Sequence, residues 1–112
     1  MRVLDGEQVL MRIFIGEGDR HGRKPLYQAL VELFRSERLA GATVLRGTLG
    51  FGAKSHLHTA QVLRLSQDLP VVIEVVDTSE KIDSVMPRID DMVQDGLVTL
   101  EKVRVVRYAA KG

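Results

Sequence analysis

The sequence predicts an α+β fold in which two helices cover one face of an antiparallel sheet. Two stretches with apolar residues at helical spacing alternate with stretches rich in Val, Ile and Leu. Their order along the chain is β-α-β-β-α-β, which places one helix in each half of the sequence. The length of 112 residues is typical of one domain, and we assign residues 1–112 to it, with the core over 9–108.

The first half begins with a predicted central strand over residues 9–16, followed by a polar loop punctuated by glycines. Pro25 opens a helix predicted over 25–39, since a proline in the first turn loses no helical hydrogen bond. Gly41 stands where a left-handed C-terminal cap is expected. The alternation of the strand places four apolar side chains on one face: Val9, Met11, Ile13 and Ile15.

The middle of the chain predicts two further strands around a glycine-rich loop. Residues 42–49 predict a strand weakened by Gly47, because a glycine inside a strand indicates a bulge or a close backbone approach. The loop begins at Gly50 and runs to about His58. Residues 59–76 then predict either a strand with a break near its middle or a hairpin.

The second helix is predicted to begin at Asp77-Thr78-Ser79-Glu80, which is a helix-start pattern. Pro87 lies inside this helix and predicts a bend, and Gly96 is expected to end it. Residues 97–108 predict the last strand, and the complete order is that of a ferredoxin-like sandwich, a fold that hosts many functions. The apolar stripe of the helix consists of Ile82, Val85, Met86, Ile89, Met92 and Val93.

Composition excludes several classes of function. The formal net charge is only +1, so no strong positive field is available for binding nucleic acid. The absence of cysteine removes disulfides, cysteine-based zinc sites and thiol catalysis. The apolar runs fall short of the roughly 20 residues that span a membrane, and no secretory signal is legible. We therefore expect a cytoplasmic protein that is not embedded in a membrane.

The most strongly charged loop is a candidate anion site. Residues 16–24 lie between the first strand and the N-terminus of the first helix, where backbone N–H groups favour anions. One interpretation is a site for a nucleotide phosphate, and the other is a solvated connection without a ligand. The ionisable side chains of this loop are Glu17, Asp19, Arg20, His21, Arg23 and Lys24.

A second glycine-rich segment spans residues 47–55. It does not match the phosphate-binding P-loop, because Ala53 stands where that motif requires a lysine. What remains is a glycine-rich turn at a strand end, which can still hold a phosphate or form a binding loop.

His56 and His58 are candidate metal ligands. In an extended segment their side chains point to the same face, a spacing that suits a metal ion. A third ligand would come from Glu17, Asp19, His21 or a neighbouring subunit. The alternative interpretation is a pair of surface or hydrogen-bonded histidines.

The last strand carries two candidate phosphate ligands, Arg104 and Arg107. Their odd spacing predicts opposite faces of the sheet, so one can reach a phosphate while the other is solvated.

Several of these segments resemble the nitrogen-regulatory PII proteins. The resemblance lies in Gly41-Ala42-Thr43-Val44, Gly50-Phe51-Gly52 and the closing strand over 103–107. More specifically, the chain resembles a PII-like family of unknown function over nearly all of 9–108. The segments that carry this closer resemblance are 16–27, 41–47, 58–60, 69–77 and 96–101.

The resemblance implies a homotrimer, as in PII and the copper-tolerance relative CutA. It also implies clefts between subunits that bind adenine nucleotides. It identifies Gly50, Phe51 and Gly52 with the family's G-F-G segment, and Arg107 with a phosphate-binding arginine. Because Ala53 replaces an arginine of that pattern, the charged loop can supply phosphate contacts instead, through Arg20, Lys24, Glu17, Asp19 or His21.

The leading expectation is therefore a non-enzymatic, trimeric regulatory protein with no required cofactor and no catalytic residue. A bound nucleotide would order the loop over 53–58, which would then meet a partner such as a transporter or channel. One alternative is a CutA-like metal-binding protein using His56 and His58. A second is an enzyme acting on a phosphorylated metabolite through Glu17, Asp19 and His21, and a third is a purely structural trimer.

Overall fold

The structure, a computed structural model, describes residues 1–51 and 69–111. Within these ranges the chain alternates long strands of one main sheet with two helices and one small hairpin. The elements are β1 (Arg2–Gly16), β2 (Arg20–His21), β3 (Lys24–Pro25), α1 (Leu26–Ser36), β4 (Thr43–Arg46), β5 (Pro70–Asp77), α2 (Ser79–Met92) and β6 (Leu97–Ala110).

The main sheet has the strand order β4-β5-β1-β6, and every neighbouring pair is antiparallel. Strand β1 is central: it pairs with β5 from Val9 to Gly16 and with β6 over almost its whole length. The separate pair β2–β3 forms a short hairpin inside the predicted charged loop. The predicted α+β, ferredoxin-like class is thus confirmed.

The core lies between one face of this sheet and the two helices. Alternate residues of β1 and β5 are buried on that face, because successive side chains of a strand point to opposite sides. The predicted inner face of β1 is confirmed, with Val9 packed at its margin. The core side chains are Met11, Ile13, Ile15, Leu26, Leu30, Phe34, Val71, Ile73, Val75, Ile82, Val85 and Ile89.

Helix α1 begins after Pro25 as predicted but ends three residues earlier than expected. Arg38 has a φ of 61°, and the N–H of Leu39 donates to the Phe34 carbonyl at 3.0 Å. This is a Schellman cap with arginine in the left-handed position, so the prediction that Gly41 caps the helix was wrong. The earlier turn lets Leu39 pack against the core.

Helix α2 begins as predicted, because the Thr78 hydroxyl accepts a hydrogen bond from the Lys81 N–H at 3.1 Å. It includes Pro87 and ends at Met92, so the prediction that Gly96 ends it was wrong. Gly96 lies against β1 instead: a Cβ there would stand 2.8 Å from the Phe14 carbonyl oxygen.

The boundaries of β1, β4 and β6 differ from the prediction, and β6 extends to Ala110 rather than ending at residue 108. Strand β1 begins at Arg2 rather than at residue 9, because β6 continues beside it to Ala110. Strand β4 stops before Gly47, whose N–H donates to the Pro70 carbonyl at 2.7 Å. A Cβ on Gly47 would stand 2.7 Å from Pro70 Cγ, so of the two predicted alternatives, a bulge and a close approach, the second is confirmed.

The prediction for residues 59–76 is confirmed only for its last part, which forms β5. Residues 52–68 lie outside the described residues. The predicted loop at 17–24 is corrected in one respect, since it contains the β2–β3 hairpin.

The sheet has two ends that differ in character. We call one the loop end: it carries residues 16–25, 46–51 and 69–70. We call the other the ribbon end: there β1 and β6 continue past β5 as a two-stranded ribbon over residues 2–8 and 103–110.

Asp77 ties the ribbon end to both helices. Its side chain is completely buried and accepts hydrogen bonds from the N–H groups of Ala40 at 2.8 Å and Thr78 at 2.7 Å. The guanidinium of Arg2 forms an ion pair with the same carboxylate. The hydroxyl of Tyr108 donates to the Ala40 carbonyl at 2.9 Å, which joins β6 to the same cluster.

Candidate functional site

The charged loop begins with a turn that Asp19 stabilises. The carboxylate of Asp19 accepts a hydrogen bond from the Gly16 N–H at 3.0 Å, and its backbone N–H donates to the Gly16 carbonyl at 3.1 Å. Its own carbonyl accepts from the Leu26 N–H at 2.8 Å at the start of α1. Asp19 therefore shapes the turn, and one of its carboxylate oxygens is used within the chain.

Glu17 lies where the charged loop meets the start of β5. Its N–H donates to the Leu69 carbonyl at 2.8 Å, and its carboxylate forms an ion pair with Arg46 at the end of β4. Its Oε1 atom is buried and has no hydrogen-bond partner among the described residues. A buried oxygen of this kind can accept a hydrogen bond from a ligand or a water molecule. Sequence reasoning missed Arg46, although its place just before the glycine-rich turn was a usable signal.

The hairpin brings together several predicted cations. Arg20 donates to the carbonyl of Arg23, and Lys24 Nζ lies 2.5 Å from the Glu32 carboxylate. Hydrogen bonds from Lys24 and Gln28 lower the pKa of Glu32. A shallow groove of about 500 Å³ lies between the hairpin and the helices. Its lining combines three basic residues and one acidic residue with a largely apolar floor: His21, Arg23, Lys24, Glu32, Ala29, Leu33, Ser36 and Met92.

The glycine-rich turn packs against the first residue of β5. A Cβ on Gly50 would stand 3.1 Å from Pro70 Cγ, so the turn lies close to the end of the sheet. Phe51 is 71% exposed, and it is the last described residue of this segment. Gly52 lies outside the described residues. The turn and Glu17 therefore both lie at the loop end: the N–H of Gly47 donates to the Pro70 carbonyl, and the N–H of Glu17 donates to the Leu69 carbonyl.

Arg107 lies at the opposite end of the molecule. It is exposed on β6, where the register between β1 and β6 shifts between Leu4 and Gly6. On β6 the shift falls between Val105 and Tyr108, so Arg107 lies within it and the regular alternation from which opposite faces were predicted is interrupted there. Eleven residues of β1 separate this point from Gly16, which corresponds to about 35 Å. One chain does not bring Arg107 and the glycine-rich turn together.

The three candidate catalytic side chains do not form one cluster. Glu17 pairs with Arg46, Asp19 binds the backbone of Gly16, and His21 faces the groove beside the hairpin. The geometry gives no support to an acid–base pair.

The histidine pair lies outside the described residues, as His56 and His58 both fall within 52–68. In the part of the chain that the structure describes, no three His, Asp or Glu side chains are grouped closely enough to hold a metal ion.

The second face of the sheet carries an unusual set of side chains. In the central strand, Leu10 and Phe14 flank Arg12 on the face opposite the helices. Arg12 donates to Glu74 on β5 at 2.9 Å and to Glu101 on β6 at 2.7 Å. Among the described residues, neither helix covers this face.

Neither helix in the described residues is long and apolar enough to cross a membrane.

Comparison with known sequences identifies the family of the chain. Residues 8–105 match the family DUF190, described as "Uncharacterized ACR, COG1993". A UPF0166 protein of Aquifex aeolicus is 37% identical over 106 residues, which cover 95% of this chain and 98% of that protein. A UPF0166 protein of Methanocaldococcus jannaschii is 30% identical over 99 residues, covering 88% and 91% of the two chains.

Comparison with solved structures identifies the fold. A putative PII-like signaling protein from Thermus thermophilus has a TM-score of 0.63 at 16% identity, with 95% of this chain and 94% of that chain covered. CPII, a nitrogen regulatory PII-like protein from Thiomonas intermedia solved with ADP, AMP and bicarbonate, has a TM-score of 0.63 at 14% identity, with 93% and 91% covered. The family match and the extent of these similarities establish that the chain belongs to the DUF190 family and has a PII-like fold.

Proposed function

We propose that this chain is a non-enzymatic regulatory protein of the cytoplasm. It forms a homotrimer, binds an adenine nucleotide between neighbouring copies and regulates a protein partner such as a transporter. Residues 1–112 act as one domain, and no cofactor is required.

The observation that carries this proposal is the separation of the candidate phosphate-binding groups. The glycine-rich turn and the basic hairpin lie at the loop end, whereas Arg107 lies about 35 Å away at the ribbon end. A ligand that uses both sets must bind between two copies, with the loop end of one facing the ribbon end of the next.

At the loop end, the proposed hydrogen-bond donors to the phosphate are backbone N–H groups of residues 50–52 together with Arg20 or Lys24. Glycines without a Cβ allow a phosphate to approach the backbone closely. Arg20 uses one nitrogen for the Arg23 carbonyl and retains further N–H groups, while Lys24 would exchange Glu32 for phosphate. The unpaired Oε1 of Glu17 can accept a hydrogen bond from a hydroxyl or amino group of the same ligand.

The outer face of the sheet supports self-association. Antiparallel sheets that face water normally alternate apolar and polar residues, but β1 and β5 are apolar on both faces around Arg12 and Glu74. Such strands are typical of a sheet that is covered on both sides. The likeness to CPII, which was solved with ADP and AMP, supports the choice of an adenine nucleotide.

Isothermal titration of the purified full chain with AMP, ADP, ATP and cyclic dinucleotides tests the ligand. We expect at least one adenine nucleotide to bind, and we expect Arg107→Ala to weaken that binding about tenfold or more, because a charge-assisted phosphate contact is lost. Arg35→Ala is the matched control, since Arg35 is exposed on α1 and has no proposed contact with the nucleotide. An absence of binding by a folded trimer at millimolar nucleotide would exclude the nucleotide-binding proposal.

A further inference from the structure

The side chains Arg12, Glu74 and Glu101 form a connected group, which we call the charge triad. Arg12 lies on the central strand and donates through Nε to Glu74 at 2.9 Å and through Nη1 to Glu101 at 2.7 Å. The three side chains come from three neighbouring strands, so the triad spans the middle of the sheet.

The surroundings of the triad on this face are uncharged. Because directly paired residues of neighbouring strands share a face, the register identifies which side chains surround Arg12. Among the paired positions of the described strands near the triad, its three members are the only charged residues. The others are Gln8, Leu10, Phe14, Thr43, Leu45, Val72, Val76, Leu97, Thr99 and Val103.

The triad combines both signs of charge and unused hydrogen-bonding capacity. A guanidinium has five N–H donors, and only two of its nitrogens are engaged here. The Glu101 side chain is 56% exposed and the Arg12 side chain 37% exposed, so both present polar atoms outward. A surface of this kind is complementary to a second copy of itself, since Arg12 of one copy can meet Glu101 of the next.

We infer that the charge triad determines how copies of this chain associate, by allowing one arrangement of the sheet faces and disfavouring others. The inference rests on the self-association proposed above. Apolar side chains on a flat face tolerate many rotations and slips, whereas a buried charge that loses its partners is strongly unfavourable. Only arrangements in which the guanidinium and both carboxylates keep partners are therefore stable.

This role predicts different effects on self-association for two kinds of substitution. Replacing all three members by apolar residues removes the desolvation penalty, and with it the restriction to one arrangement. Removing the charge of Glu101 alone keeps the restriction but weakens the contact between copies.

The first test compares the size distribution of full-length variants by native mass spectrometry and light scattering after gel filtration. We expect the wild type to form one species, and the triple variant Arg12→Met, Glu74→Val, Glu101→Val to form two or more species at the same concentration. Thr99→Val is the control, because Thr99 pairs with Arg12 on the same face and carries no charge. A triple variant with the same single species as the wild type overturns the inference.

The second test uses Glu101→Gln, which retains the shape of a half-exposed side chain and so does not depend on the folding of the triple variant. We expect one species that dissociates at an about tenfold higher concentration than the wild type. Glu7→Gln is the control, since Glu7 lies on the other face of β1 and its nearest cation is 3.8 Å away. An unchanged midpoint for Glu101→Gln also overturns the inference.

The two proposals fail in different ways. A wild type that remains monomeric at every concentration removes the proposed homotrimer and the role of the triad together. A wild-type trimer whose variants behave like their controls removes only the role of the triad and leaves the nucleotide proposal intact.

Discussion

Asp77 shows how a single buried residue links distant parts of this chain. It is completely buried, yet its carboxylate receives hydrogen bonds from two backbone N–H groups and from Arg2. Burial alone raises the pKa of a carboxyl group, but these hydrogen bonds and the charge of Arg2 outweigh burial and lower the pKa of Asp77. The sequence indicated only that Asp77 precedes a helix, because its partners lie up to 75 residues away.

The lowered pKa of Asp77 predicts a loss of stability in acid. Its contribution is complete above the unfolded-state pKa of about 3.9 and is lost as the pH falls through the lower folded-state pKa. We expect Asp77→Asn to lower the free energy of unfolding by about 2 kcal/mol at pH 7, and by clearly less near pH 3. Urea unfolding at fixed protein concentration, at both pH values, measures this difference.

Glu32→Gln is the control for this prediction, because Glu32 pairs with Lys24 at an exposed position. We expect it to change stability far less than Asp77→Asn does at both pH values, because an exposed ion pair contributes little. An Asp77→Asn variant as stable as the wild type at pH 7 would contradict the role assigned to Asp77.

At the scale of elements, the boundaries are decided by contacts between elements rather than by local signals. Gly41 and Gly96 both follow a helix and both looked like caps, but neither caps one. Arg38 takes the left-handed conformation after α1. At position 96 there is no room for a side chain, because the connection from α2 to β6 packs against β1. A glycine marks a conformational or spatial need, and the sequence does not say which one.

These two glycines therefore respond differently to alanine. A Cβ on Gly96 would stand 2.8 Å from the Phe14 carbonyl oxygen and 2.9 Å from Val93 Cγ1, so Gly96→Ala forces a shift of the chain. We expect a loss of about 1–3 kcal/mol in the free energy of unfolding, measured by chemical denaturation.

Gly41→Ala is the matched control, because no atom lies within 4 Å of its Cβ position. We expect it to be neutral or slightly stabilising, since alanine restricts the unfolded chain. Equal effects of the two substitutions would show that the close approach at Gly96 does not constrain the fold.

At the scale of the whole molecule, the candidate site is divided between two ends of the sheet. β1 runs through the sheet from the ribbon end to the loop end, so the groups at its two termini cannot meet in one copy. The cyclic assembly proposed above would resolve this separation, because it repeats a contact between two different surfaces of neighbouring copies.

Mixing two defective variants tests whether the site is shared. Arg107→Ala removes the ribbon-end contribution, and the double variant Arg20→Ala, Lys24→Ala removes cations of the loop end. In a trimer of mixed composition, one of three clefts combines two intact halves, so equal random mixing restores about a quarter of the nucleotide sites. Isothermal titration of the mixture, after subunit exchange, measures the recovered sites.

Each variant alone at the same total concentration is the control for this experiment. A mixture that binds no more nucleotide than the two separate variants would place the whole site within one chain.

The sequence alone determined the fold class of this protein. Apolar residues at periods of 2 and 3.6 predict strands and helices, and the order of these elements predicts two helices packed on one face of the sheet. The inner face of β1 and the start of both helices were also predicted, since each depends on neighbouring residues. Gly47 was predicted to mark a bulge or a close approach, but only the folded chain showed that it approaches Pro70, which is distant in the sequence.

Only the tertiary structure decided which charged residues meet. The pairs Glu17–Arg46, Arg2–Asp77 and Arg12–Glu101 join residues that are far apart in the chain, and no local pattern predicts such contacts. The register of the strands also placed Arg107 at one end of the sheet and the glycine-rich turn at the other. Register depends on pairing along the whole length of the strands, which is why the division of the candidate site between two ends became visible only in the folded chain.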